Sequence, residues 1–263
     1  VALNLRSEVR RLRVFDLEQV RHQDPGQEWV PHWHEEWSFG AIVRGECHCS
    51  VAGRPFVARA GDVIAIAPGV VHTGALSAPQ YRGAVLVSML YVPTDWLVHE
   101  GLQAPPRSGV VRMPRLAESA RGLATTAEVQ AWLRCVVPAL RRRLPADPSA
   151  VEPAPPSAAV RSLIERVQEA VVGDDLSVAD LARRCGVSRE RIHRVLTAWV
   201  GMAPGDYLRA VRLHRARQML LAGEAAASVA AECGFADQAH FTRWFRRSFG
   251  YTPGDLLQAA GRG

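Results

Sequence analysis

The chain has 263 residues, 48% of them hydrophobic, enough for one large domain or two ordinary ones with a real core. Its net charge is +6, its pI is near 9.5 and all 32 basic residues are Arg, a balance that favours an anionic partner, nucleic acid first. There is no apolar run of about 18 residues, and the start "VALNLRSEVRRLRVF" lacks the apolar stretch of a secretory leader. A membrane span is therefore not expected, and the chain is read as cytoplasmic.

Residues 28–92 read as β-structure. Short runs rich in Val, Ile and Phe alternate with turn signals at "RGE", "AGR", "RAGD" and "APG". Their regular spacing predicts a barrel or sandwich. Inside this region "VPHWHEEWSFGAIVRGE" puts His32 and His34 two residues apart in a presumed strand, which would turn both imidazoles to one face. Glu36 would share that face if the strand is regular. Trp29, Trp33, Trp37 and Phe39 are available for packing or for stacking on a ligand.

The five cysteines are Cys47, Cys49, Cys135, Cys185 and Cys233. An odd, scattered set argues against a disulfide framework. Cys47 and Cys49 would share a strand face, which leaves a metal or redox role open beside the plainer reading of incidental buried thiols.

Residues 112–144 switch to helical spacing, with Val129, Leu133, Val136 and Leu140 on one stripe and Pro138 expected to kink or break the helix. "LPADPSAVEPAPPSA", residues 144–158, holds five prolines and reads as an exposed linker. Beyond it everything reads as helix. Val160, Leu163, Ile164 and Val167 align in the first helix, which Gly173 should end.

Residues 177–201 and 227–250 share one layout: a short helix, a glycine turn, then a longer helix. In the first unit Ser177 is a cap with Asp180 in a capping-box position, Gly186 makes the turn and Ser188 caps the second helix. Ile192, Val195, Leu196 and Trp199 should face inward, leaving Arg189, Glu190, His193, Arg194 and Thr197 outward. In the second unit Gly234 is the turn and Asp237 the cap. Phe241, Trp244, Phe245 and Phe249 should face inward, and Gln238, Ala239, Thr242, Arg243 and Arg246 outward. A helix fits the major groove of DNA, and two on a rigid linker helix reach successive grooves about 34 Å apart.

"GFADQAHFTRWFRRSFGYTPGDLL" resembles the C-terminal signature of the AraC/XylS family of bacterial transcription regulators, and "RLHRARQMLLAG" resembles that family's linker helix. The resemblance covers residues 160–257. It implies a DNA-binding domain with two recognition helices, double-stranded DNA as partner, a bacterial nucleoid setting and RNA polymerase as a further contact. By position the base readers would be Glu190, His193 and Arg194 in the first helix and Gln238, Ala239, Thr242 and Arg243 in the second, with Arg246 on phosphate. Leu196 and Thr197 depart from the pattern, standing where an aromatic and a basic residue are usual.

The N-terminal half resembles the cupin-type sensor domain that often precedes such a domain. "PHWHEEWSFGAIVRG" and "GDVIAIAPGVVH" look like its two motifs. The resemblance implies a cluster of His32, His34 and His72 that would take Zn, Ni or Fe, or would touch a small ligand together with Ser38. Ser38 stands where metal-binding cupins carry a glutamate.

The expected architecture is a two-domain α+β protein. Residues 1–143 form a cupin-like β-barrel with following helices, 144–158 a linker and 159–263 an all-α domain with two helix-turn-helix units. The expected function is a homodimeric regulator, not an enzyme, answering to a small molecule or metal, with the 127–143 helix as its dimer contact. The rival readings are a metal or redox sensor at the same histidines and a cupin enzyme fused to a DNA-binding domain.

Overall fold

The computed structural model describes residues 7–12, 16–78, 84–144, 157–171 and 176–261. Most of the proline-rich linker, and the helix end expected at Gly173, lie outside these residues.

The first half is β-rich. Its strands are β1 (Glu8–Arg11), β2 (Glu18–His22), β3 (Glu28–His32), β4 (Trp37–Arg44), β5 (Glu46–Val51), β6 (Arg54–Arg59), β7 (Asp62–Ile66), β8 (His72–Ser77), β9 (Leu86–Val92) and β10 (Gly109–Arg112). They form two sheets, one ordered β1-β2-β9-β4-β7-β10 and the other β3-β8-β5-β6. Every pairing is antiparallel.

Strand β4, "WSFGAIVR", shows why the larger sheet holds the core. Side chains alternate between faces, and here both faces are covered, so the strand is apolar almost throughout. Trp37, Phe39, Ala41 and Val43 belong to the core shared with the helices. Ile42, on the opposite face, belongs to a second core with Cys47, Ile64, Ile66, Leu76 and Val87.

Three helices cover the outer face: α1 (Thr94–His99), α2 (Pro114–Ser119) and α3 (Thr126–Arg143). Helix α3 starts at a capping box. The Thr125 hydroxyl accepts from the Glu128 N–H at 3.2 Å, and the Glu128 carboxylate accepts from the Thr125 N–H at 2.8 Å. It runs through Pro138 as one helix rather than breaking there. Its apolar stripe, Val129, Trp132, Leu133, Val136 and Leu140, is spent inside the unit, and its last turn exposes Arg141, Arg142 and Arg143.

The second half is helical: α4 (Ala158–Ala170), α5 (Val178–Arg184), α6 (Arg189–Val195), α7 (Pro204–Leu221), α8 (Ala226–Glu232), α9 (Gln238–Phe249) and α10 (Pro253–Gly261). The chain divides into two compact units, Val1–Ala146 with Phe249–Gly263, and Asp147–Ser248. The last helix therefore groups with the β-rich unit, which differs from a helical domain running unbroken to residue 263. The reason is visible at its start. The buried Tyr251 hydroxyl donates to the buried Glu18 carboxylate at 2.7 Å, and Thr252 and Asp255 cap α10 reciprocally at 2.8 and 3.2 Å. Among the described residues no helix is long and apolar enough to cross a membrane.

Candidate effector cavity and nucleic-acid interface

His32 and His34 do converge, but not by strand alternation. Strand β3 ends at His32 after a register shift that begins at Trp29, and His34 lies in the bend before β4. Its backbone carbonyl accepts the Gly69 N–H at 2.8 Å, which ties that bend to the loop leading into His72. His72 opens β8 directly opposite His32 in the antiparallel register, so the two side chains share a face. The ring centroids stand 4.9 Å apart for His32–His34, 4.2 Å for His32–His72 and 5.2 Å for His34–His72. All three residues are at most 9% exposed, and their ligand nitrogens lie within 4.8 Å of one another.

Two of the three imidazoles have a set tautomer. His32 Nδ1 lies 2.8 Å from the Val30 carbonyl and His72 Nδ1 lies 2.9 Å from the Val70 carbonyl. A carbonyl oxygen only accepts, so both Nδ1 atoms carry the proton, and in a neutral ring Nε2 then keeps the lone pair. A backbone carbonyl on the far nitrogen is the usual outer support of a metal-binding histidine. Burial lowers the His72 pKa to about 4, against a smaller opposing effect of the Val70 carbonyl, so the ring is neutral at pH 7. Neutral imidazole is the form that ligates a metal.

His32 and His72 open onto a cavity of about 60 Å³ between the sheets. Its walls are Trp29, Ile42, Ile64, Ile66, Leu76, Val87, Met89 and Tyr91, with Cys47, Cys49 and His22 among them. Cys47 and Cys49 share this face, as alternation requires, and both are free thiols. Hydrogen bonding to Cys49, then burial, raises the Cys47 pKa, while the same bond lowers that of Cys49. Ser38 is not among the lining residues, although it lies on their face of the sheet, opposite Ile66 and Tyr91 in the register, and its buried Oγ has no hydrogen-bond partner. Among the described residues no Arg, Asp or Glu lines the cavity, Glu36 included. Trp37 and Phe39 pack into the core, whereas Trp29 is a wall of the cavity. His22 is absent from the sequence reading because "EQVRH" does not look like a strand that faces a site.

The helical unit carries the other candidate surface. Ser177 and Asp180 form a reciprocal capping box at α5. Ser188 caps α6, and Asp237 caps α9 by accepting the His240 N–H at 2.6 Å. Gly186 and Gly234 make the two turns at φ +64° and +70°. Glu190, His193, Arg194 and Thr197 are exposed, as are Gln238, Ala239, Arg243 and Arg246, and Thr242 is half-buried. Glu190, Arg194 and Thr197 recur at helical spacing, as do Ala239, Arg243 and Arg246. The Glu190 carboxylate is held below its usual pKa range by its own backbone N–H and the Ser188 hydroxyl. It therefore stays ionised at the start of α6.

Two inward assignments are corrected. After Val195 the chain widens into a π-helical turn, Leu196–Val200, closed by Gly201 at φ +82°. That turn rotates Trp199 to 41% exposure and holds Thr197 outside the regular helix. Trp244 is half-buried rather than inward. The Arg209 guanidinium from α7 lies 3.8 Å from its ring centroid and that of Arg247 5.0 Å, and its indole N–H donates to His240 Nε2 at 2.8 Å.

Residues 15–164 match the family model for the AraC-like ligand binding domain, more than half of the chain. The chain belongs to the AraC family. A second match, to a helix-turn-helix domain, covers residues 181–259, from within α5 through both glycine turns and the helices α6 and α9. Among AraC-family relatives, the HTH-type transcriptional activator RhaS of Escherichia coli is 29% identical over 167 residues, 63% of this chain. The alignment spans 58% of the length of RhaS. Among solved structures, an apo ToxT from Vibrio cholerae superposes with a TM-score of 0.54 at 12% identity, covering 97% of each chain. A fatty-acid-bound ToxT superposes with a TM-score of 0.53 at 13% identity over 95% of this chain and 94% of that one. At such identities these likenesses bear on the AraC-family fold alone.

Proposed function

We propose that the chain is a transcription regulator that reads double-stranded DNA through α6 and α9 and answers to an effector seated at His32, His34 and His72. The observation that carries the effector half is the convergence of three buried imidazoles, two of which, His32 and His72, line the cavity with their Nδ1 protons committed to backbone carbonyls. The DNA half rests on the exposed polar rows of two capped helices within a helix-turn-helix match. Reading the protein as a regulator rather than an enzyme rests on that second unit.

The donor set fits a divalent transition metal of the Zn, Ni or Fe class. His32, His34 and His72 would hold it, and the metal would supply a Lewis-acidic centre for the remainder of the effector. The protein's own part is to keep the His72 imidazole neutral, to orient His32 and His72 through Val30 and Val70, and to exclude bulk water with apolar walls. The alternative occupant is a small organic molecule touched directly by the imidazoles.

The test is a titration of the metal-free full chain with Zn²⁺ by calorimetry, beside the His34→Ala and His72→Ala variants. One site in the wild type that weakens at least tenfold in each variant supports the metal. No binding at micromolar zinc gives the site to an organic effector. Selection of a preferred DNA sequence from a random pool by the purified protein tests the DNA half, and no enrichment would overturn it.

A further inference from the structure

The cavity holds a polar group that the metal reading does not use. His22, the last residue of β2, is fully buried and lines the same cavity as His32 and His72. It lies opposite Val87 of β9 in the antiparallel register, and Val87 is another wall residue, so both side chains face the interior. The His22 Nδ1 is bonded to the Ser7 hydroxyl at 2.8 Å, and the ring stands edge-on to Trp29 with centroids 4.8 Å apart. Its Nε2 is buried without a hydrogen-bond partner. Buried polar atoms are normally paired, and one left open on a cavity wall is what a ligand completes. Burial takes the His22 pKa down to about 3, so the ring offers a hydrogen bond and no charge. No Arg side chain lines the cavity among the described residues, in a chain that has 32 basic residues, all Arg. A charged group at this end would be buried with no counter-charge.

We propose that His22 is the specificity-determining residue of the effector site, and that the effector is a small molecule with two unlike ends. One end bears an oxygen or nitrogen donor for the three-histidine centre. The other bears an uncharged hydroxyl, carbonyl or amide that pairs with His22 Nε2. The cavity of about 60 Å³ limits it to about four to six non-hydrogen atoms, at roughly 10–15 Å³ for each water-sized group. The idea rests on the reading of this cavity as the effector site.

The test compares three probes on the zinc-loaded full chain and on the chain without zinc. They are 3-hydroxypropanoate, butanoate and 3-aminopropanoate, which share a carboxylate, have six non-hydrogen atoms each and differ at the far end as hydroxyl, methyl and ammonium. Affinities are measured by ligand-observed NMR at millimolar probe. The wild type is expected to favour the hydroxyl end over the methyl end by about tenfold, the worth of completing a buried hydrogen bond, and to bind 3-aminopropanoate, with its charged end, most weakly. In His22→Phe that preference falls to about one, while zinc affinity is unchanged, which shows that the variant is folded. In His22→Gln part of the preference returns. Equal affinity for hydroxyl and methyl ends in the wild type overturns the proposal. So does a preference that persists in His22→Phe, or no binding of any probe. Failure of the metal reading shows separately, as loss of the zinc titration, and the hydroxyl-against-methyl comparison is then made with the uncharged pair 1,3-propanediol and 1-butanol, which need no counter-charge.

Discussion

At the scale of single residues, buried imidazoles govern this protein. His22 and His72 have pKa values lowered to about 3 and about 4, in each case chiefly by burial. In the unfolded chain both would titrate near the ordinary value of 6.5. Between those values the unfolded state binds protons that the folded state does not, so stability is complete above pH 6.5 and falls as pH drops through the window. For His22 the loss is about 2 kcal/mol between pH 6.5 and pH 5. Urea midpoints at pH 7 and pH 5 check it. The metal-free wild type should lose more stability on acidification than His22→Gln, and equal losses would contradict the assignment. The three-histidine cluster was legible in the sequence, because its members fall on motif positions. Its mode of assembly was not. His34 is placed by the Gly69 N–H and His72 by strand register, contacts that join distant parts of the chain. His22 was invisible for the same reason, since only the pairing with β9 turns it toward the cavity.

At the scale of elements, local chemistry was easy to read and tertiary override was not. Ser177, Ser188 and Asp237 cap the helices that their positions announce, because a cap is decided within four residues. Asp237→Ala should destabilise the protein by about 0.5–2 kcal/mol, measured as a lower urea midpoint with an unchanged slope. The π-helical turn at Leu196–Val200 had no local signal, and it is why Trp199 faces outward. Strands β1 and β2, "EVRR" and "EQVRH", were missed because their charged residues mask the alternation. Helix α9 is held to α7 through Arg209 on the Trp244 ring, and the neighbouring Arg243 stays exposed. Arg243→Ala should weaken binding to the selected sequence by about 1–3 kcal/mol and relax the preference over random DNA. A mobility-shift assay with unchanged discrimination would remove Arg243 from the base-reading set.

At the scale of the whole molecule, the chain is less cleanly divided than its proline-rich linker suggests. Residues 249–263 are the last part of the chain, yet they group with the β-rich unit. Gly250 adopts φ +82° against the wall of the cavity, where an added Cβ would lie 2.6 Å from His22 Cε1 and 2.7 Å from Trp29 Nε1. Only a glycine fits that approach. Tyr251 then reaches Glu18 across 233 residues of sequence, a contact that no local pattern announces. Tyr251→Phe leaves a buried carboxylate short of a donor and should cost about 1–3 kcal/mol of stability, read from urea unfolding. A fragment ending at residue 146 should be less stable than the full chain for the same reason. The central claim is that the occupant of the three-histidine centre changes DNA binding. Its most direct measurement is fluorescence anisotropy of the selected DNA sequence titrated with metal-free protein, with and without Zn²⁺, in the wild type and in His72→Ala. The account predicts that zinc shifts the wild-type affinity at least fivefold, about 1 kcal/mol of coupling, and leaves His72→Ala unmoved. Wild-type curves that coincide with and without saturating zinc would contradict it.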